Sequence, residues 1–196
     1  MDRPGAAGRQ LLVFFALAAA GCGADLATKH WAFSRDDLLA GGVRWVWTGH
    51  AGLQLSLNEG ALFGMGQGRV WWFAAFSLAA CAVIPWWLFR RGGAQDPMLV
   101  AVLGLVMGGV LGNLYDRLGL HGLDWGAFVP SRAGEPIYAV RDFILLAGRW
   151  DADPSKRLVW PNFNVADCLL VCGALTLLLL SFRHPTPVTD EDDSAE

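Results

Sequence analysis

Three aspartates stand where the chain changes between apolar and polar sequence, and their neighbours could support acid–base chemistry. Asp116 closes one long apolar run and Asp167 opens another, and each follows an asparagine by three residues, Asn113 and Asn164. Positions i and i+3 share a helix face, so each amide can lie beside its carboxylate and hydrogen-bond it. Asp142 lies between the two runs. Carboxylates at the edge of hydrocarbon are costly, which indicates a function.

Two carboxylates that lie close together share one proton, because both cannot ionise cheaply. The ionised member can activate a water while the protonated member polarises a carbonyl, as in aspartic proteases. The sequence offers no competing Ser–His or Cys–His arrangement, since its histidines are scattered. Two alternatives stay open: carboxylates that only cap helix ends, and a proton-coupled carrier with intramembrane carboxylates. The carrier is less favoured because the chain has no repeat of its spans.

The apolar runs around these aspartates have the length of membrane spans. The 196 residues are 54% hydrophobic and 17% charged, against roughly 25% charged in soluble proteins. This composition predicts a mainly α-helical integral membrane protein with four transmembrane helices, at about 10–31, 70–89, 97–116 and 163–182. Residues 1–184 then form a single four-helix membrane domain, and 185–196 a disordered acidic tail.

The first apolar run has two possible fates. Ala19-Ala-Gly-Cys22 resembles a lipoprotein processing site, in which case residues 1–21 would be a signal peptide. The apolar character continues to about Trp31, however, and Asp25 precedes Lys29 by four residues, the favourable order for a helical ion pair. We therefore expect a retained first span with an unmodified, buried Cys22. The other cysteines also lie in apolar segments, where small buried side chains are more common than disulfides or metal ligands.

The segments between the spans carry shorter signals. Leu53, Leu55 and Leu57 alternate with polar residues, which predicts a short strand at the membrane interface, followed by a turn-rich stretch from Asn58 through Gly60. The polar segment 118–160 is predicted to be an inserted loop outside the hydrocarbon, so that a small β and loop region covers the active-site face. Small residues at four-residue spacing predict close helix packing in the third span, at Gly104, Gly108 and Gly112.

Four spans would bring the polar candidates to one side of the membrane. The ends of spans one and three, the start of span four and both long loops then share a face. Arg90 and Arg91 lie in the shortest loop, which favours cytoplasmic termini, although a count of charges over all loops does not decide the orientation. The polar residues collected in this way are Asp25, Lys29, Asn58, Asn113, Asp116, Arg117, Asp142, Asn164 and Asp167.

Five short blocks resemble, in their order and residues, the lipoprotein signal peptidase (signal peptidase II) family. The resemblance implies a four-span aspartic endopeptidase of the bacterial inner membrane, with the termini in the cytoplasm and the active site toward the outer face. Such an enzyme removes the signal peptide from prolipoproteins, cutting just before a cysteine that carries diacylglycerol. The blocks are Asp25-Leu-Ala-Thr-Lys29, Asn58-Glu-Gly-Ala-Leu-Phe-Gly64, Gly108-Gly-Val-Leu-Gly-Asn-Leu-Tyr-Asp-Arg117, Val140-Arg-Asp-Phe-Ile144 and Phe163-Asn-Val-Ala-Asp167.

The same resemblance implies roles for individual residues. Asp142 and Asp167 would be the catalytic pair. We expect no cofactor and no metal ion, a monomer, prolipoprotein and membrane lipid as partners, and no nucleic acid, because the sequence has no basic patch. The residues that would support the site or bind substrate are Asp25, Lys29, Asn58, Gly60, Asn113, Asp116, Arg117 and Asn164.

The chain departs from the family pattern at several positions. Leu26 stands where the family usually has a polar glutamine, and Arg141 stands where a second apolar residue usually precedes the catalytic aspartate. The segment from Leu118 to Ala139 looks like an insertion, and the stretch from Gly148 to Trp160 is also long. These departures concern the loops more than the chemistry.

Overall fold

Five α-helices make up most of the chain that the computed structural model describes, which comprises residues 4–60, 66, 68–148 and 158–182. The same residues also contain short 3₁₀ turns at Gly93–Gln95, between α3 and α4, and at Trp125–Ala127 and Pro130–Arg132, after α4. The acidic tail, residues 61–65 and residues 149–157 lie outside the described residues. The helices are α1 (Pro4–Phe33), α2 (Asp36–Leu39), α3 (Val70–Arg90), α4 (Pro97–Arg117) and α5 (Val165–Ser181).

Three of the described helices are long and apolar enough to cross a membrane: Gly8–Phe33 within α1, then α3 and α4. They fall where the first three spans were predicted. Helix α5 is apolar but has 17 residues, about 26 Å at 1.5 Å per residue, so the fourth span stays a prediction. It begins later than expected because residues up to Phe163 belong to a strand and Asn164 caps the helix.

Helix α4 lies at the centre and packs against α1, α3 and α5. A Cβ on Gly104 would stand 2.9 Å from the Phe14 carbonyl oxygen, and one on Gly108 would stand 3.0 Å from the Ala18 carbonyl oxygen. Neither position could hold a larger residue without separating α1 from α4. The prediction of close packing along this glycine stripe is therefore confirmed.

The outward faces of the helices are apolar, as expected for surfaces that meet lipid. Cys22 and Cys81 are half-buried, whereas Cys168 and Cys172 are exposed on α5. The expectation of buried side chains was therefore wrong for Cys168 and Cys172 and is met only in part by Cys22 and Cys81. A run that is apolar all round does not tell which face packs against protein, and this face of α5 points away from α4.

A four-stranded antiparallel sheet follows the order β1 (Arg44–Trp47), β2 (Ala51–Asn58), β3 (Val140–Gly148), β4 (Leu158–Phe163). Strand β2 confirms the strand expected at its alternating leucines. Strand β3 and the first half of β4 fall in the segment 118–160, which was predicted as an inserted loop within a small β and loop region, and β4 continues to Phe163, the predicted start of the fourth span. The first four residues of β3 are all buried, so this strand lacks the alternation of apolar and polar residues that marks a half-buried strand.

The apparent insertion packs on the end of α1 instead of extending into solvent. The Phe128 ring lies 6.0 Å from that of Phe33, and Ile137 is completely buried. The backbone N–H of Ile137 also donates to the Leu123 carbonyl, at 3.1 Å. The segment leads directly into β3, and so into the strand that carries Asp142.

We predict that Gly108→Ala lowers the free energy of unfolding by about 1–3 kcal/mol, because the new methyl group would press on the backbone of α1. Gly23→Ala is the matched control, since a Cβ there meets open space on the same helix pair. It should be neutral or slightly stabilising. Thermal unfolding in detergent measures both, and equal stability of the two variants would contradict the packing described above.

Candidate active site

Asp142 and Asp167 meet where the sheet joins α5, and the amide of Asn164 connects them. Asn164 Nδ2 donates to Asp142 Oδ1 at 2.6 Å. Asn164 Oδ1 accepts from the Asp167 backbone N–H at 2.9 Å, and Asp167 Oδ2 accepts from the Asn164 backbone N–H at 3.2 Å. This reciprocal capping box begins α5. The Asn-x-x-Asp spacing thus starts a helix and presents a carboxylate at the same time.

Asn113, on α4, holds Asp167 from the other side. Its Nδ2 donates to Asp167 Oδ1 at 3.0 Å. Its Oδ1 accepts from Lys29 Nζ at 2.9 Å and from Asn164 Nδ2 at 3.3 Å. The i, i+3 spacing would also have allowed Asn113 to hydrogen-bond Asp116 on its own helix. The amide crosses to α5 instead, because that face of α4 packs against helices whose polar groups compete for it.

Asp142 lies in surroundings that favour its neutral form. The carboxylate is 2% exposed, and burial raises its pKa to about 7, with a further contribution from the negative charge of Asp167. Hydrogen bonds from Asn164 and Asn58 oppose this rise. Asn58 ends β2, next to the pairing of Ser56 with Asp142. At neutral pH the two aspartates can therefore hold one proton between them.

A buried ion cluster lies behind the pair. Lys29 Nζ stands 2.7 Å from Asp25 Oδ2 and 3.0 Å from Asp116 Oδ2, and all three side chains are completely buried. The predicted ion pair between Asp25 and Lys29 is thus confirmed. Asp25 Oδ1 accepts from the Ala166 backbone N–H at 2.8 Å, which ties α1 to the first turn of α5. A Cβ on Gly112 would overlap the Asp25 carboxylate.

Arg141 completes this cluster, and sequence reasoning did not count it among the site residues. Asp116 Oδ1 accepts from Arg141 Nε at 3.0 Å and from Nη2 at 2.8 Å, while Oδ2 accepts from the Arg141 backbone N–H at 3.0 Å. Arg141 is 4% exposed. The sequence signal was present, because a charged residue stands where an apolar one was expected. Its partner, 25 positions away, could not be inferred.

Arg117 and Gly60 lie next to the pair and are joined to each other. Arg117 Nη2 donates to the Gly60 carbonyl at 3.4 Å, and its guanidinium lies 5.5 Å from the centre of the Phe73 ring. Its charge interacts with the carboxylates of Asp167 and Asp142. Asn58 Oδ1 accepts from the Gly60 backbone N–H at 2.9 Å. The structure therefore brings all ten predicted residues to one junction, although the rest of that turn, 61–65, lies outside the described residues.

An apolar cavity of about 240 Å³ opens beside Asp167, between β4 and α5. A second, of about 400 Å³, shares Leu146 and Trp160 with it and extends to Trp47 and His50. Among the residues that the structure describes, no group of three or more His, Cys, Asp or Glu side chains is placed to hold a metal ion. The first cavity is lined by Leu146, Trp160, Phe163, Asp167, Cys168, Val171 and Cys172.

Helices that are long and apolar enough to cross a membrane surround the junction of Asp142, Asn164 and Asp167, which defines the class as a helical membrane protein. Two solved structures described as bacterial membrane enzymes, determined by the in meso method, share this fold. The one at 2.3 Å resolution has a TM-score of 0.66 and 18% identity over 95% of each chain. The one at 1.9 Å has a TM-score of 0.63 and 20% identity over 91% of this chain and 95% of the other.

Sequence comparison identifies the family. The signal peptidase (SPase) II family matches residues 17–183. The lipoprotein signal peptidase of Rhodopirellula baltica is 42% identical over 185 residues, which cover 94% of this chain and 78% of the relative. That of Pseudoalteromonas atlantica is 30% identical over 170 residues, 85% of this chain and 87% of the relative. The chain belongs to the signal peptidase II family of bacterial membrane proteases that process lipoproteins, as its five sequence blocks predicted.

We predict that Asp116→Asn lowers the free energy of unfolding by about 3–5 kcal/mol, because Lys29 and Arg141 would lose the charge that compensates them in a buried site. Turnover per folded molecule should fall far less than after loss of a catalytic carboxylate. Thermal unfolding in detergent and the activity of the folded fraction are the measurements.

Asp37→Asn is the control for this variant. Asp37 pairs with Arg35 and Arg44 in an exposed position, its side chain 47% accessible, and such solvent-screened pairs contribute little to stability. An Asp116→Asn protein that is as stable as the control but inactive would place Asp116 in the catalytic pair.

Proposed function

We propose that this protein is an aspartic endopeptidase that removes the signal peptide from diacylglyceryl-modified prolipoproteins, cutting just before the lipidated cysteine. The observation that carries the proposal is the arrangement of Asp142 and Asp167, two carboxylates joined through Asn164 and held from behind by Asn113. The proposal is also supported by the relatives of this chain, which are named lipoprotein signal peptidase.

The proposed reaction uses one proton shared by the pair. Asp142 holds it, because burial favours the neutral acid there, and Asp167 acts as the base. Asp167 removes a proton from a water as the water oxygen attacks the scissile carbonyl carbon, while Asp142 donates its proton to the carbonyl oxygen. In the second step the tetrahedral intermediate returns a proton to Asp142, Asp167 protonates the leaving nitrogen, and the C–N bond breaks.

The neighbours of the pair have supporting roles in this proposal. Asn164 donates a hydrogen bond to Asp142 and Asn113 donates one to Asp167, and these neutral side-chain amides do not change charge with pH. Arg117 places a positive charge near both, which offsets the negative charge that the pair carries throughout the reaction. Asn58 and Gly60, joined by a hydrogen bond beside the pair, would contact the substrate.

A membrane-anchored substrate suits this position. With α5 as a fourth span and the termini in the cytoplasm, the pair would lie at the outer face of the inner membrane. A diacylglyceryl group holds its peptide at that depth, because each buried methylene contributes about 0.8 kcal/mol. The apolar cavity beside Asp167 offers room for an apolar group next to the scissile bond. We propose that the protein acts there as a monomer without a cofactor.

We predict that Asp142→Asn and Asp167→Asn each reduce cleavage by on the order of 10³-fold or more, because an amide can neither share the proton nor activate water. The assay follows signal-peptide release from a purified diacylglyceryl-modified prolipoprotein. Asp37→Asn, an exposed carboxylate away from the pair, should retain full turnover. Near-normal turnover of either catalytic variant would refute the assignment, and a proton-coupled carrier would not cut the peptide at all.

We predict that kcat is retained below neutrality and falls as the pH rises through about 7, because ionisation of Asp142 removes the proton that the reaction needs. The pH profile of kcat on the same substrate measures this fall. A midpoint two or more pH units higher would contradict the proposed role of Asp142.

Stability gives an independent check on the same group. The folded pKa of Asp142 lies above the value of 3.8 for a free side chain, so its contribution to stability is full below pH 4 and is lost as the pH rises through about 7. Asp142→Asn, which stays neutral, should therefore unfold at a higher temperature than the wild type at pH 8. The two proteins should converge at pH 4.

A further inference from the structure

Arg141 and Asp142 are consecutive residues of β3, and their side chains point to opposite faces of the strand. On one face Asp142 accepts from Asn164. On the other, Arg141 donates hydrogen bonds to Asp116, in the last turn of α4, from its backbone N–H and from two guanidinium N–H groups. The position of Asp142 relative to α4 is thus set by the residue before it in the chain.

We propose that Arg141 is a positioning residue of the cleavage reaction. By binding Asp116, it fixes the position of β3, and so of Asp142, relative to α4. This inference rests on the proposed function. Three hydrogen bonds to two carboxylate oxygens restrict both the translation and the rotation of the strand at Arg141. A single ammonium group would not restrict it in this way, because only the planar guanidinium presents donors in a rigid fork.

Asp116 is also connected to Asp167, through Lys29 and Asn113. Asp116 Oδ2 accepts from Arg141 and also lies 3.0 Å from Lys29 Nζ. Lys29 in turn donates to Asn113, and Asn113 donates to Asp167. A continuous path of polar contacts, of which only the last is part-buried, therefore joins Asp142 to Asp167 from behind. Arg141 is the member of that path bonded directly to Asp142 along the chain.

Arg141 also balances the charge of the cluster. With Arg141 present, two buried cations face two buried anions, Asp25 and Asp116. An apolar residue at this position would leave Lys29 alone between two carboxylates, with one buried negative charge uncompensated close to the pair. Such a charge would shift the strand or the carboxylate that bears it, since burial of an unpaired charge is strongly unfavourable.

The test compares Arg141→Met, which keeps length without charge or donors, with Arg141→Lys, which keeps the charge without the fork. We expect kcat per folded molecule to fall by about 10–100-fold in Arg141→Met, because small displacements of reacting groups have effects of this size. KM should stay within about twofold, since Arg141 is buried and does not face the cavity. Arg141→Lys should recover only part of the loss.

Arg132→Met is the matched control. Arg132 lies in the segment that leads into β3, where it pairs with Glu135 at 2.8 Å and stacks on Trp125 at 4.1 Å. Its loss removes a guanidinium ion pair that touches neither aspartate of the pair. Both kcat and KM of Arg132→Met should match the wild type.

A double variant separates action through Asp116 from a direct effect. If Arg141 acts through Asp116, then Asp116→Asn added to Arg141→Met should lower kcat little beyond the larger single effect. Fully additive losses would contradict that route. Folded protein is quantified in every sample, so a change confined to stability does not count as support.

The outcomes are distinct. Wild-type kcat per folded molecule in Arg141→Met, or a loss seen only in KM, overturns the inference while the proposed function stands. If Arg141→Met does not fold, Arg141→Lys decides in its place: a lowered kcat with unchanged KM supports the role, and wild-type kcat overturns it. A wild-type protein that releases no signal peptide refutes the proposed function first, and the role of Arg141 with it.

Discussion

The ammonium group of Lys29 is completely buried, and three acceptors surround it: Asp25, Asp116 and Asn113. Each acceptor also holds another part of the molecule. Asp25 binds the start of α5, Asp116 binds β3 through Arg141, and Asn113 binds Asp167. Because no water can replace a missing acceptor in such a site, loss of one partner costs about 3–5 kcal/mol. The buried charge of Lys29 on α1 is thus connected, through its acceptors, to α4, α5, β3 and the side chain of Asp167.

This cluster can form only because α1 and α4 approach closely. The Asp25 carboxylate occupies the space that a side chain at position 112 would need, and Gly108 lies against the backbone at Ala18 and Cys22. The glycines of α4 therefore allow close packing and also leave space for the buried Asp25 carboxylate. Helix packing in membranes depends on contact between small residues, and here that contact also brings Lys29 on α1 within reach of Asp116 on α4.

Much of this arrangement could be predicted from local patterns. Apolar length predicted three helices, alternation predicted β2, and the spacing of Asn164 and Asp167 predicted neighbouring groups. The partners of Asn113 and Asp116 could not be predicted, since they come from residues as many as 84 positions away. Strand β3 was missed because its first residues are buried on both faces. The family blocks predicted which residues would meet, whereas the bonds between them depend on tertiary packing.

The two aspartates occupy different kinds of backbone, and this difference supports the proposed division of roles. Asp167 lies in the first turn of α5, where the positive end of the helix dipole and the free N–H groups favour a negative charge. Asp142 lies on a strand, which has only a small dipole, and burial there raises its pKa to about 7. A site that is to keep one carboxylate neutral and the other ionised at neutral pH needs such unlike surroundings. The edge of the membrane domain, where a helix begins beside a buried strand, supplies both.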